Sequence, residues 1–535
     1  MNKLFFLIAL TLGVLKLSAQ QPCENLVKLA LPDVVIQSAT SIAAGEFRLP
    51  SAPAAAPATK VPAFCRVVGL VRPELKFELW LPAEWNHKYI AVGNGGMAGS
   101  IVFTAMIDPL NRGYATGSTD TGHTSTNDDG SWALGHLDRL INYAYRGIHL
   151  MAQADKAIVQ AFYGAAPTHS YFNGCSFGGK QALTEAQRYP KDFDGIIAGD
   201  PANNFTRHYI GGHLWDALAM DGEGYIPAAK VPLIGNAVNA ACDALDGVRD
   251  GVLNDPRKCH FDPAVLQCKN GDAPDCLTAA QVAAIRKIWT GFKDADGQQI
   301  YPGLMPGGEA DPGGWVRYLS GTGPGKGRHA TLTNAFFRYM VFDNPDWDFH
   351  SFHFTTAPGF DNDLQVTEEK VGAMFNATDP DLRPFRANGG KLIQYHGWSD
   401  PDIPPTNSIN YYESVVAALH SDGSSDSAGN GGGAGGASAS GTRSGGLRDT
   451  REFYRLFMVP GMQHCTGGPG TSRFDTLTAL ERWAEQKQAP EQIPAAHLTN
   501  GQVDRTRPLC AYPQEAKYMG SGNPDDAANF TCALP

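Results

Sequence analysis

Tyr171-Phe-Asn-Gly-Cys175-Ser176-Phe177-Gly-Gly-Lys-Gln-Ala-Leu-Thr-Glu-Ala-Gln-Arg188 is the stretch on which the fold turns. Its first residues, Tyr171–Asn173, read as a short strand, and Gly179–Arg188 reads as a helix that Pro190 ends. Between them stands Gly174-Cys175-Ser176-Phe177-Gly178, a G-x-S-x-G segment. Strand, sharp turn and helix are the setting that pushes a serine hydroxyl out above a sheet edge, and the flanking glycines permit a turn too tight for larger side chains. Ser176 is therefore the candidate nucleophile.

Outward from this turn the same rhythm continues. Tyr89–Val92 is a strand candidate running into a glycine loop, and Ile196–Ala198 is a buried one. Gly147–Tyr163 carries Ile148, Met151, Ile158 and Phe162 at helical spacing. Strands return at Lys391–Tyr395 and Phe453–Val459. Strands alternating with helices predict an α/β fold, a parallel sheet covered on both faces. The middle of the chain breaks the pattern. Residues 203–384 are rich in Gly, Pro, Trp and Phe, hold Cys242, Cys259, Cys268 and Cys276, and read as an inserted domain. The core is then residues 20–202 and 385–535. Residues 421–446, almost all Gly, Ser, Ala, Asn and Asp, read as a flexible surface loop.

The chain has 535 residues, too many for one compact core. Hydrophobic residues at 43% and charged residues at 18% exclude a disordered chain. A net charge of −11 argues against a nucleic-acid partner. Lys3, the apolar run Leu4–Leu15 and the small residues Ser18 and Ala19 predict a secretory signal peptide over residues 1–19. No later stretch is apolar and long enough to cross a bilayer, so no membrane association is expected after cleavage, and the product would be secreted or periplasmic. The ten cysteines then enter an oxidising compartment, where disulfides are the default. Without a C-x-x-C pair their spacings do not match a zinc ribbon or finger. Nothing in the sequence sets an oligomeric state.

A serine hydroxyl needs a general base, and the base needs an orienting carboxylate. In α/β-hydrolases the order is Ser, acid, His. Asp400, in Tyr395-His396-Gly-Trp-Ser-Asp400, follows one strand; His464, in Val459-Pro-Gly-Met-Gln-His464-Cys465, follows the next. Asp402 and His396 are the competing assignments, and His396 breaks the order. Cys175 precedes the serine and Cys465 follows the histidine. If they pair, nucleophile and base are stapled with Cα atoms under about 7 Å apart. An oxyanion hole would use the Phe177 N–H and a second N–H from Gly93-Asn94-Gly95-Gly96, with Gly96 first choice and Gly95 the near alternative. Asp120 and His123 fill no required role and read as structural. Asp243-Ala-Leu-Asp246-Gly-Val248-Arg-Asp250-Gly-Val252 is a hard-oxygen cluster suited to Ca²⁺, or else an acidic solvated turn.

The combination of G-C-S-x-G-G, H-G-x-S-D and P-G-M-x-H-C resembles the tannase and feruloyl esterase family of serine hydrolases, over nearly the whole mature chain. The resemblance implies an α/β-hydrolase core with a large inserted lid. It implies Ser176 as nucleophile, Asp400 as orienting acid and His464 as base. It implies the pairs Cys175–Cys465, Cys23–Cys65, Cys242–Cys259, Cys268–Cys276 and Cys510–Cys532. It also implies a structural calcium ion on Asp243, Asp246 and Asp250 with the Val248 and Val252 carbonyls, and no organic cofactor. The expected partner is a small aromatic ester. Feruloyl or hydroxycinnamoyl esters come first, galloyl esters second and mono-hydroxyethyl terephthalate third, since His329–Phe342 lacks an Arg–Phe–Ser grouping. Trp315, Phe336, Phe337 and Phe342 read as packing residues rather than substrate contacts. A peptidase and an inactive secreted binding protein are the other classes.

Overall fold

The computed structural model describes residues 21–50, 52–53, 55–354, 362–421 and 439–535. The signal-peptide reading of residues 1–19 lies outside the described residues. Nine strands form one sheet: β1 Val34–Ile42, β2 Phe64–Val71, β3 Leu75–Pro82, β4 Lys88–Val92, β5 Ala115–Thr119, β6 His169–Cys175, β7 Gly195–Gly199, β8 Lys391–Gly397 and β9 Tyr454–Val459. Their order across the sheet is β1-β2-β3-β5-β4-β6-β7-β8-β9. The first three strands and the β3–β5 pair are antiparallel. From β5 to β9 every pairing is parallel.

The parallel strands read as continuous apolar runs because both of their faces are covered. On one face the helix Gly147–Tyr163 buries Ile148, Met151, Ile158 and Phe162, and the helix Phe177–Arg188 buries Ala182, Leu183 and Ala186. On the other, the helix Thr476–Gln486 buries Leu477, Leu480 and Trp483. The architecture is the expected α/β one. The expected strand at Tyr171–Asn173 is longer, and the helix begins at Phe177 rather than Gly179. Two glycines in its first turn are poor helix formers, but the packing requires them. A Cβ on Gly178 would sit 2.8 Å from Asn94 O, and one on Gly179 would sit 2.2 Å from Gly199 O.

Between β7 and β8 the described residues add no strand to this sheet. It forms the helices Val231–Cys242, Ala279–Thr290 and Arg328–Phe336 and a small hairpin, Phe292–Lys293 with Gln299–Tyr301. Ile234, Val238, Ile285, Ile288, Trp315 and Leu319 build a core inside the insert. A second core joins the insert to the main body, with Phe205, Phe336, Phe337 and Phe375 packed around Phe177 and Tyr143. Phe342 is packed against this second core.

The reading of residues 421–446 as loop needs correction. Residues 422–438 lie outside the described residues, but Ser421 closes the helix Thr406–Ser421, and Ala439–Arg451 is a helix. That helix packs on Thr406–Ser421, with Leu447 against the main core and Thr450 buried. Tertiary docking of its last turns outweighs the low helix propensity of its Gly and Ser residues.

All ten cysteines are paired: Cys23–Cys65, Cys175–Cys465, Cys242–Cys259, Cys268–Cys276 and Cys510–Cys532. Among the described residues no helix is long and apolar enough to cross a membrane.

Candidate active site

The turn after β6 holds Ser176 at φ 67°, ψ −124°, a backbone region that L-residues rarely adopt. The surrounding contacts over-determine it. Ser176 N–H donates to Gly199 O at 2.9 Å, and its carbonyl accepts from Lys180 N–H at 3.0 Å. A Cβ on Gly174 would meet Gly178 O at 2.4 Å, so helix and strand approach here only without side chains. Phe177 is the first residue of the helix, where a backbone N–H has no intrahelical partner. Its ring stacks on Tyr143 at 4.1 Å, which fixes the turn from behind.

The glycine loop after β4 lies against this turn. Asn94 and Gln181 of the elbow helix are zipped together. Asn94 N–H donates to Gln181 Oε1 at 2.9 Å, and Gln181 Nε2 donates to Asn94 Oδ1 at 3.1 Å. Gly96 has φ 53°, and a Cβ there would lie 2.3 Å from Asn127 O. Its carbonyl accepts from Tyr143 Oη at 2.9 Å. Gly95 has open space at its Cβ position apart from Asn127 Nδ2 at 3.9 Å. Asp120 and His123 support the neighbouring backbone. Asp120 Oδ1 accepts from the Lys76 and Gly122 N–H groups, and His123 Nε2 donates to Met97 O at 2.9 Å.

Asp400 and His464 come from loops after adjacent strands, β8 and β9, which pair in parallel register from Leu392–Tyr454 to Gly397–Val459. His464 Nδ1 lies 2.8 Å from Asp400 Oδ2. Asp400 Oδ1 accepts from the Asp402 and Ile403 N–H groups at 2.8 and 3.0 Å. Burial opposes ionisation of Asp400, but the charge of His464 and the contacts of His396 and His464 outweigh it and hold the carboxyl below its ordinary range. Burial also opposes protonation of His464. Asp400, Asp402 and Asp200 outweigh it and push the imidazole up to about 9.

The competing residues are both in the site, in other places. His396 Nε2 donates to Ile403 O at 3.0 Å and lies 3.2 Å from Asp400 Oδ2. Its Nδ1 is then the acceptor of the Ser408 hydroxyl at 2.7 Å. His396 thus braces the acid loop. Asp402 lies on the opposite side of the His464 ring, its Oδ2 3.4 Å from Nε2.

Cys175 and Cys465 bring the two loops to a Cα–Cα distance of 5.9 Å. Asp200, at the end of β7, was not singled out from the sequence. It is fully buried with φ 35°. One oxygen accepts from Cys465 N–H and the other from Gly397 N–H, each at 2.7 Å. One carboxylate therefore joins the histidine loop to the acid strand beside the disulfide. Its signal in the sequence is Gly199-Asp200-Pro201, a charge at the end of a wholly apolar strand.

Asp243, Asp246 and Asp250 lie elsewhere, in a turn against the C-terminal hairpin. Each folds one carboxylate oxygen onto backbone N–H groups within its own loop. Asp246, Val248, Asp250 and Val252 line a cavity of ≈ 30 Å³, room for one water-sized occupant. Burial and the charges of Asp250 and Asp243 push Asp246 up to about 6, against the Val248 N–H bond. The donor chemistry suits a hard cation. Asp250, however, already pairs with Arg507 at 2.8 Å, and Arg505 lies 3.6 Å away. The sets of three ligand atoms within 4.8 Å of one another among the described residues are found around Asp200 and Asp402 instead.

The family model for tannase and feruloyl esterase matches residues 58–533. The chain belongs to this family. It is 42% identical to an uncharacterised esterase of Xanthomonas campestris pv. campestris, over 96% of this chain and 92% of that protein. It is 33% identical to the mono(2-hydroxyethyl) terephthalate hydrolase of Piscinibacter sakaiensis, over 97% and 92%. The crystal structure of feruloyl esterase B from Aspergillus oryzae superposes with TM-score 0.81 and 28% identity, over 96% of this chain and 99% of that one. Family membership and fold agree: the protein is an α/β-hydrolase-like carboxylic ester hydrolase.

Proposed function

We propose that the protein hydrolyses aromatic acyl esters, feruloyl and related hydroxycinnamoyl esters first, through an acyl-enzyme on Ser176. The observation that carries this reading is the strained Ser176 turn, stapled through Cys175–Cys465 to a histidine whose Nδ1 is 2.8 Å from Asp400. Ser176 Oγ attacks the ester carbonyl and passes its proton to His464 Nε2, while Asp400 holds the imidazole by Nδ1. The free Phe177 N–H and the Gly96 N–H stabilise the oxyanion. His464 returns the proton to the leaving alcohol, and water then releases the aromatic acid. A second reading, mono-hydroxyethyl terephthalate as substrate, is favoured by the similarity to the terephthalate hydrolase; galloyl esters are the third. We also propose that the chain is exported, a reading supported by the apolar N-terminal run and the five disulfides. A structural calcium ion at Asp243, Asp246 and Asp250, with the Val248 and Val252 carbonyls, is supported by the gathering of three aspartates in one turn and by the Asp246 carboxyl, raised by burial and by Asp250 and Asp243.

The test is a kinetic panel of methyl ferulate, methyl gallate, mono-hydroxyethyl terephthalate and a peptide anilide, with Ser176→Ala as control. The variant should lose fluorophosphonate labelling and at least about 10⁴-fold in kcat. A wild-type preference for the anilide, or undiminished turnover by the variant, would refute the proposal.

A further inference from the structure

His464 faces a carboxylate on each side. Asp400 meets Nδ1, and Asp402 Oδ2 lies 3.4 Å from Nε2, the nitrogen that must accept the serine proton. Asp402 is 4% exposed and is held by residues of the inserted segment. Its Oδ1 accepts from His213 Nε2 at 2.7 Å, with His329 Nε2 3.5 Å away. Arg328 Nη1 is 3.5 Å from Oδ2. These partners are anchored in turn, Arg328 by Asp128 at 2.7 Å and His329 by Asp216 at 3.3 Å. A buried carboxylate without partners would take up a proton. This one has a donor at bonding distance and a guanidinium beside it, so it stays charged.

We propose that Asp402 is a positioning residue that clasps His464 from the Nε2 side in the resting enzyme, so that the imidazole must shed its Nε2 proton before it can serve Ser176. The inference rests on the Ser176–His464 reading.

The charges around the ring favour this resting state. Asp400 and Asp402 approach from the loop after β8 and Asp200 from the end of β7. Against them stand Arg328 and His329, the latter held up by Asp216 and Asp402 against its burial, while burial leaves His213 a neutral donor to Asp402; His396 lies behind Asp400. The Tyr318 ring lies 6.2 Å from the imidazole and stays neutral, its hydroxyl raised by burial. With the imidazole pushed up to about 9, it is mostly protonated at pH 7. Below that value kcat/KM should rise about tenfold per pH unit. Once Ser176 has given up its proton, the same carboxylate steadies the imidazolium.

The experiment measures kcat/KM for p-nitrophenyl acetate from about pH 5 to 10 in wild type, Asp402→Asn and Asp402→Ser, beside the rate of fluorophosphonate labelling at each pH. The wild-type acidic limb is expected well above the ordinary histidine value of about 6.5. Both variants should move it down by about one unit or more, with about a tenfold gain at pH 6. A purely structural role for Asp402 would lower the plateau and leave the limb in place, and that result overturns the inference. If neither variant folds, Arg328→Gln replaces them: removing the guanidinium beside Asp402 Oδ2 should move the limb up, and a limb that stays in place, or a wild-type limb near the ordinary value of about 6.5, refutes the clasp. Failure of the underlying reading looks different, since wild-type protein would then not label or Ser176→Ala would remain active.

Discussion

Replacing Cys175 and Cys465 together by alanine tests how the site is held. The bridge closes 290 residues. In the chain-entropy model such a loop restrains the unfolded state by about 5–6 kcal/mol. The Cys242–Cys259 and Cys268–Cys276 bridges inside it shorten the free path by under a tenth, which changes the figure by only about 0.1 kcal/mol. The folded state loses less, because Asp200 still ties Cys465 N–H and Gly397 N–H at 2.7 Å each. The cost should therefore appear mainly as stability. At about 2.1 cal/mol/K per residue, unfolding a chain of this length releases about 1.1 kcal/mol/K, so Tm should fall by about 5 °C. Activity should fall too, since Cys465 sits at φ 66° beside the base and relaxes without its partner. A displacement approaching 1 Å costs up to about 10²-fold. Differential scanning calorimetry without reductant, with kcat/KM for p-nitrophenyl acetate, measures both. A variant within about 1 °C and twofold of wild type would refute the reasoning.

Chelation should lower Tm if calcium holds the Asp243–Val252 turn, and Asp246→Asn should remove the response to EDTA and to added Ca²⁺. The catalytic rate should drop with it, because Val252 Cγ1 lies within 3.0 Å of the Cβ position of Gly461, three residues before His464. An EDTA-treated protein with unchanged Tm and no calcium by mass spectrometry of the metal content would end that proposal. If the Gly93–Gly96 loop supplies the oxyanion hole, Gly178→Ala should cost kcat/KM at least about tenfold, since the new methyl meets Asn94 O at 2.8 Å and displaces that loop. Wild-type kinetics in a folded Gly178→Ala protein would count against that loop's role.

Much of the site was legible because its parts obey local rules. A strand, a glycine-flanked serine and a helix are adjacent in the chain, and short-range sterics allow few conformations there. Asp400 and His464 each follow an apolar run, where a parallel sheet presents its functional groups. The residues that sequence reading passed over act at a distance. Asp200 works through N–H groups 197 and 265 positions away. Asn94 and Gln181 interlock across 87 residues. The helix Ala439–Arg451 has the composition of a linker and exists because its final turns find a partner.

By itself, then, the amino-acid order determined the alternation that makes the sheet, the serine turn and an even set of cysteines, two of them adjacent to Ser176 and His464. Only the tertiary structure decided which nitrogen of His464 meets which carboxylate. Asp400 and Asp402 are two residues apart and chemically identical, so no local preference separates them. The β8–β9 register and the inserted segment's His213 and Arg328 place one on Nδ1 and the other by Nε2.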